Sequence, residues 1–597
     1  MGSIIENQTV LKIIINQKDM NHLKQIAVIL VLLLAIQAHA QEKKKTFSVT
    51  GSMGLTYEAY GLNRIPGPPS SPSFYSARKP WNLVRYSFNP TFMVGKWEIP
   101  MNFNFSPLLN NFTTPSGTKQ NLWQFLTNPA NNFGLNPKIG KTELLLGTQN
   151  LKYSDLSTGD IGVFGYGLNL APGKFRIKLF KGVSQSPVNY EAPSIPNPNG
   201  VIGAYQRNQW MAQLGLEKEG VYFTGFNFVK SIDKRNSVSA PPLSPIDPQE
   251  NMVISFFTTA TSEKGWRYHI ELGQSFHTLN LNTPLSITPV ADFKPFINSH
   301  TSTNKDNAVI AGIAKKGADW EIGTKFKYFG AGYFTAGFPF MKNDLIDYLI
   351  DTRFNLWKKK MNVVGSFGER FGNLSRTAGP DRTLQLIANI NIFTQFTDRF
   401  SLNTSFNNFG YSAPDLSGYK SVSNELSLNP SYTWSNTKMS NMLSATYTKS
   451  IYDETIVFVT THNNTQTAML LYVPTFFDKK LNPDFSLMWF KNTAPLIDLT
   501  LFTATTGLTW DVSKKFKFKG QLQYNTSTML PFTANKNLMA TASYDWKLQK
   551  KLSWQFSMTA NVFHFGSEIP GNTLTPIYSG NPQYYETTMK TGLLYKF

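Results

Sequence analysis

The sequence predicts an all-β fold, a transmembrane antiparallel up-and-down β-barrel of about 26 strands with short periplasmic turns and long extracellular loops. Three observations predict it. From Thr46 to Phe597 apolar and polar residues alternate with period two in segments of roughly ten to fourteen residues, the length of tilted membrane-spanning strands. The connections alternate between tight Lys-rich turns and long loops rich in Pro, Asn and Ser. The chain also closes on a strand ending in an aromatic residue, Phe597.

Composition narrows the classes first. The 597 residues include no cysteine, which excludes disulfide frameworks, thiolate nucleophiles and Cys-ligated metals. Charged residues are 16% of the chain, below the roughly 25% of soluble proteins. A mean hydropathy of −0.25 argues against a bundle of membrane helices, and 46 Phe, 25 Tyr and 12 Trp argue against disorder. Near the start, Lys24 precedes the apolar run Ile26–Ile36, and Ala38-His39-Ala40 offers a small-x-small cleavage site before Gln41. Residues 1–40 therefore read as an upstream extension and signal peptide, with Met20 as the expected start and cleavage after Ala40. Removing them lowers the formal charge of +20 by only one. Residues 41–597 are then one barrel domain, because no later apolar run is long enough for a helical span.

Along that domain the first strand is expected near 46–57. Trp97, Ile99, Met101, Phe103 and Phe105 alternate with Glu98, Asn102 and Asn104. Leu384, Leu386, Ala388, Ile390 and Ile392 alternate with Gln385, Asn389 and Asn391, and Phe516, Phe518, Leu522 and Tyr524 with Lys517, Lys519, Gln521 and Gln523. The clearest segment sets Leu552, Trp554, Phe556, Met558, Ala560 and Val562 against Ser553, Gln555, Ser557, Thr559 and Asn561. Alternation alone also fits a soluble sandwich with one wet face. The turns decide: Gly95-Lys96, Gly140-Lys141, 172–174, 217–220, 263–265, 315–317, 358–360, Asp398-Arg399, 435–438, 478–480, 513–515 and 548–551 are short, whereas loops near 58–81, 107–131, 185–202, 232–249 and 275–305 are long. Trp97, Phe175, Trp266, Trp320, Trp357, Phe400, Phe516 and Trp554 lie beside the short turns, as an interfacial girdle requires. Pro90, Pro100, Pro137 and Pro430 fall inside expected strands, where each removes a ladder bond and suggests a bulge, so 24–26 strands is the expected range. Residues 341–352 read equally as a short helix before the strand carrying Arg353.

The ending Leu593-Leu594-Tyr595-Lys596-Phe597 places Leu593, Tyr595 and Phe597 on the lipid face and resembles the C-terminal strand of bacterial outer-membrane proteins. The resemblance implies insertion by the barrel-assembly machinery, with these three residues as its signal. Gln41 after Ala-x-Ala, with the Tyr/Asn/Phe/Lys-rich composition, is similar to exported proteins of Bacteroidota, and the stretch 132–141, with 144–150 and 168–175, resembles a motif series of large, functionally uncharacterised Bacteroidota barrels. That resemblance implies a fold and the cell outer membrane of a Gram-negative bacterium, and brings no functional residue.

Candidate site residues come from the strand phasing. The inward-facing basic residues are Arg176, Lys178, Arg267, Lys325, Lys327, Arg353, Lys517 and Lys519, against Glu98, Glu271, Glu321 and Asp351. A basic wall lowers the entry energy of anions, although cross-paired lumen charges contribute little each. Of the histidines outside the leader, His269, His277, His300, His462 and His564, none forms a metal-ligand spacing. His269, beside Arg267 and Glu271, is the best candidate for a barrel hydrolase, but no catalytic, metal or cofactor site is expected and the chain is not read as an enzyme. No basic–aromatic patch asks for nucleic acid.

A lumen of this size exceeds that of the 16–18-stranded porins, which already conduct, so something must obstruct it. Only Gln41–Lys45 precede the first strand, which argues against an N-terminal plug or periplasmic domain. Loops 58–81 and 107–131 are the expected internal plug. The expected function is a gated or loop-constricted channel or transporter for a bulky or anionic solute; the alternative is a scaffold or secretion translocon subunit whose lumen holds a partner protein or secreted chain. Expected partners are the lipid bilayer, lipopolysaccharide and a periplasmic or lumen-filling protein.

Overall fold

The computed structural model describes residues 47–64, 79, 81–105, 127, 133–159, 161–193, 200–239, 246–288, 296–377, 382–413, 418–456, 459–476, 480–495, 497–529, 534–564 and 583–597. Two compact units are distinguished. Residues 49–92 with 96–597 form the barrel; the other unit, 1–48 with 93–95, is described only at Phe47, Ser48, Met93, Val94 and Gly95.

Period-two sequence gives strands throughout. The first are β1 (Phe47–Arg64), β2 (Asn82–Val94), β3 (Trp97–Phe105), β4 (Phe133–Leu135), β5 (Lys138–Ile139) and β6 (Thr142–Asn150). Next come β7 (Gly162–Leu170), β8 (Phe175–Gln185), β9 (Gln206–Lys218), β10 (Tyr222–Lys234), β11 (Glu250–Thr261), β12 (Trp266–Thr278) and β13 (Thr303–Lys316). They continue with β14 (Trp320–Phe329), β15 (Leu345–Leu356), β16 (Met361–Gly372), β17 (Thr383–Gln395), β18 (Phe400–Ala413), β19 (Tyr419–Ser435) and β20 (Met439–Ile456). The last are β21 (Val459–Phe476), β22 (Leu481–Ala494), β23 (Ile497–Asp511), β24 (Phe516–Met529), β25 (Asn535–Lys547), β26 (Leu552–His564) and β27 (Gln583–Lys596). Successive strands pair antiparallel, and β27 pairs back onto β1, with Leu593 opposite Leu55 and Tyr595 opposite Met53.

The 27 segments make 26 strands. Segments β4 and β5 are halves of one strand, both pairing β3 on one side and β6 on the other, broken at Asn136-Pro137. Pro137 lacks an N–H, so the break falls where the ladder loses a donor; its carbonyl still accepts from Leu144 N at 2.8 Å. Near the break Gly147, paired with Gly134 of the first half, has φ +87 and lies so close to Phe133 that a Cβ would fall 2.1 Å from its carbonyl oxygen. Pro90, Pro100 and Pro430 are accommodated inside β2, β3 and β19.

Every short turn expected from sequence that lies wholly within the described residues joins a hairpin. Positive φ at Gly95, Gly140, Gly173, Gly220 and Gly265 closes five of them, where glycine carries no Cβ penalty. Other boundaries move. The segment 58–64, expected in a loop, continues β1, and strands occupy 275–278 and 303–305 at the ends of the expected 275–305 loop. Residues 345–352 belong to β15, which overturns the helical reading, because their alternation Leu345, Asp347, Leu349, Asp351 is completed by pairing with β14 and β16. The signal peptide, nearly all of loop 107–131 and most of the segment from 65 to 80 lie outside the described residues.

The exterior identifies the solvent. On β12, Tyr268, Ile270 and Leu272 are 43%, 42% and 48% exposed, whereas Glu271 and Ser275 on the opposite face are fully buried. A surface that shows its apolar residues and hides its polar ones suits hydrocarbon, not water. The chain is a large barrel of the outer-membrane type.

Candidate functional site

The lumen face changes character around the barrel. Cross-strand registers place Phe180, Met211, Val229 and Val253 in one inward-facing row and Ala308, Phe329 and Leu345 in another, all buried. Apolar side chains facing a water-filled lumen need cover, and two loops supply it. One, 151–159, follows β6; the other, 330–344, follows β14.

In the first loop Leu156, Ser157 and Thr158 are fully buried, and in the second Tyr333, Thr335 and Ala336 nearly so. Tyr153 packs with Leu145, Val163, Phe180, Met211 and Val229. Leu156 and Tyr333 pack with Val253, Ala308, Ile310, Phe329 and Leu345. Burying a side chain the size of Leu contributes about 1.5–3 kcal/mol. The loops also grip each other: Tyr333 Oη donates to Leu156 O at 2.7 Å, Thr335 Oγ1 to Ser157 O at 2.5 Å, and Gly159 N to Gly337 O at 3.1 Å.

Irregular backbone inside a barrel must find hydrogen-bond partners, and wall amides provide them. Asn251 Nδ2 donates to Phe334 O at 2.9 Å while its Oδ1 accepts from Ala336 N at 2.9 Å. Gln213 Nε2 donates to Tyr153 O at 3.1 Å and to Asn227 Oδ1 at 2.8 Å. Glu271 Oε1 accepts from Leu156 N at 3.4 Å. His277 stacks on Phe334 with centroids 4.1 Å apart.

Beside this packed zone the wall of β11–β18 lines an open cavity of about 970 Å³ with Arg267, His269, Glu321, Lys325, Asp351 and Arg353 together with Ser366, Asn389, Asn391, Ser405 and Asn407. The structure thus brings Arg267, Lys325 and Arg353, three of the eight expected lumen cations, into one chamber. Arg267 is ion-paired to Glu321, and Arg353 faces Glu321 across β14–β15. Elsewhere Arg176 Nε bonds Glu217 Oε2 at 2.6 Å, Lys517 Nζ lies 3.3 Å from Asp511 Oδ1, Lys327 faces Asp347, and Lys178 sits 5.7 Å from the Tyr153 ring centroid. Lys519 faces Thr509 and Ser543.

Acids outside the expected set, among them Glu217, Asp347, Asp511 and Asp545, share the lumen face and offset these cations. Two of the strongest pairs had no place in the expected set: Arg207 with Asp233 at 2.7 Å and Arg370 with Asp347 at 2.6 Å. Both are cross-strand pairs, visible only once register is known. His269 lines the chamber with no hydrogen bond from its ring among the described residues, and no group of three potential metal ligands occurs among them.

The closing strand places Leu593, 46% exposed, outward, and Phe597 N donates to Gly51 O at 3.1 Å. Loops 151–159 and 330–344 fold into the lumen; the expected plug segments, 58–81 and 107–131, lie mostly outside the described residues. Their sequence signal is faint: apolar Tyr153, Leu156 and Tyr333 lie amid Ser, Thr and Gly.

No protein-family model matches the chain, and no curated protein matches it in sequence. Among solved structures it resembles the Escherichia coli P pilus tip assembly intermediate PapC-PapD-PapK-PapG at 10% identity and a TM-score of 0.42, over 93% of this chain and 62% of that one. It also resembles the FrpB iron transporter of Neisseria meningitidis at 8% identity, TM-score 0.36, over 73% of this chain and 80% of that one. A third is the ferric enterobactin receptor PfeA of Pseudomonas aeruginosa, at 9% identity and TM-score 0.33, over 91% and 80%.

Proposed function

We propose that the chain is an outer-membrane channel whose lumen is constricted by loops 151–159 and 330–344 and which passes a bulky polar solute along the arc they leave uncovered. The observation that carries this reading is the interlock of the two loops on an apolar lumen wall. It narrows the bore from within the chain itself, as a barrel wider than the 16–18-stranded porins requires. The chamber with Arg267, Lys325 and Arg353 supports passage of anionic groups, moderated by Glu321 and Asp351. Export through a signal peptide cleaved after Ala40, a Bacteroidota origin and insertion by the barrel-assembly machinery acting on Leu593, Tyr595 and Phe597 complete the proposal, with lipopolysaccharide as the outer-leaflet partner.

Planar-bilayer recording tests it. The wild-type protein is expected to conduct in discrete steps, and replacing 153–158 by a short Gly/Ser linker is expected to raise the step size. Silence in both forms, with a stoichiometric protein partner retained in mild detergent, would overturn the channel in favour of a scaffold whose lumen is filled from outside.

A further inference from the structure

Strands β19, β20 and β21 are 17, 18 and 18 residues long, against about 9–11 needed to span a bilayer. Their loop ends therefore stand above the membrane as a wall of the outer mouth. Phe409 is nine residues beyond the start of β18, roughly 23 Å along the barrel axis at about 3.4 Å per residue and 40° tilt, near the top of an apolar band about 25 Å tall. Outward at this level the wall is already polar, with Asn408 Nδ2 donating to Asn424 Oδ1.

The lumen face here carries a pattern found neither in the packed zone nor in the chamber. Phe409, Ser423 and Tyr452 form one cross-strand row, and Tyr411, Ser421 and Glu454 the next. Asn407, Glu425 and Ser450 form the row below. Serines on β19 thus make a trough between an aromatic edge on β18 and Tyr452 on β20. At about 4.8 Å per strand the two edges stand about 10 Å apart, and with ring faces packing at about 3.5–4.0 Å one flat ring fits between them.

Tyr419 closes the upper end, its ring 5.8 Å from that of Tyr411 and its hydroxyl donating to Glu454 Oε1 at 2.8 Å. At the lower end Asn407 Nδ2 donates to Glu425 Oε1 at 3.3 Å. Neither Glu425 nor Glu454 has an ion-pair partner among the described residues, and Phe409 is 47% exposed although it faces the lumen. An aromatic face left open beside hydroxyl, amide and carboxylate groups is suited to a ligand with an apolar face and a polar rim.

We propose that this trough is a binding site for neutral saccharide, with pyranose C–H faces stacked on Phe409 and Tyr452, and sugar hydroxyls donating to Glu425 and Glu454 and bonding to Ser423. The serine floor favours a sugar over an organic cation, which the rings and carboxylates alone would serve. The inference deepens the channel reading, since it names the solute class that the uncovered arc would admit.

Equilibrium titration tests the site without relying on conductance. Full-length protein in detergent is titrated with maltohexaose, cellohexaose and mannohexaose, and separately with tetramethylammonium. At least one hexasaccharide is expected to bind, with Phe409→Ala and Tyr452→Ala each weakening it about tenfold. Ser423→Trp, which fills the trough, is expected to abolish binding while the protein keeps its heat-modifiable gel migration, and Glu425→Gln to weaken binding severalfold. No binding of any hexasaccharide, binding indifferent to Ser423→Trp, or competition showing tetramethylammonium as the preferred ligand would each overturn the proposal. Saccharide binding without conductance would leave the site standing and sink the channel; conductance without binding would do the reverse.

Discussion

The arc from β6 to β15 and the arc from β16 to β27 share one exterior and differ inside. Both turn Leu, Ile and aromatic residues outward, as with Leu272 and Ile350 on one and Leu386 and Leu487 on the other. On the lumen side the first arc carries Met211, Val229, Val253, Ile310 and Leu345, buried under loop, while the second carries Asn389, Asn391, Ser405 and Asn407, facing the open cavity. The lipid face therefore fixes only the barrel. The composition of the inner face decides where loops fold in, because an apolar lumen wall gains by being covered and a hydroxyl and amide wall is already solvated.

Substitutions can break that contrast. Leu156→Asp places a charge in the fully buried centre of the interlock and is expected to destabilise the in-folded loops by at least about 3 kcal/mol. Hydrogen–deuterium exchange should then show 151–159 and 330–344 losing protection together; loss in one loop alone would mean that they are independent. Asn251→Ala removes the wall amide that serves Phe334 O and Ala336 N and should cost about 1–3 kcal/mol, read as faster exchange in the second loop and a lower urea midpoint. Tyr333→Phe deletes only the hydroxyl bond to Leu156 O, with an expected loss of about 1 kcal/mol and more frequent open events in bilayer recordings. On the other arc, Asn389→Ala should change the urea midpoint by less than about 0.5 kcal/mol equivalent, since nothing packs over it. A large effect there would show that the open arc is covered as well.

Much of the fold was legible along the chain. Turn chemistry at Gly95-Lys96 through 548–551 and the phase of segments such as Leu552–Val562 are local, so each strand, its hairpin partner and its lipid face could be read in place. The candidate site was legible only in part. Arg176, Arg267 and Lys517 are legible as inner-face residues, but the proximity of Glu217, Glu321 and Asp511, which pair with them, shows only through strand register, for Arg267 and Glu321 across an intervening strand. Pro137 reads as a flaw in a strand, whereas its consequence, two half-strands that pair separately with β6, needed the neighbouring backbone.

The sequence by itself determined an antiparallel barrel of about 26 strands, because period-two alternation and tight turns are satisfied within a hairpin, over tens of residues. Only the tertiary structure decided what fills it. Leu156 and Tyr333 lie 177 residues apart, and each covers apolar wall that the other also needs covered. Neither loop carries a periodic signal, since irregular backbone is held by amides such as Asn251 and Gln213 on distant strands, and that complementarity exists only after the barrel has closed.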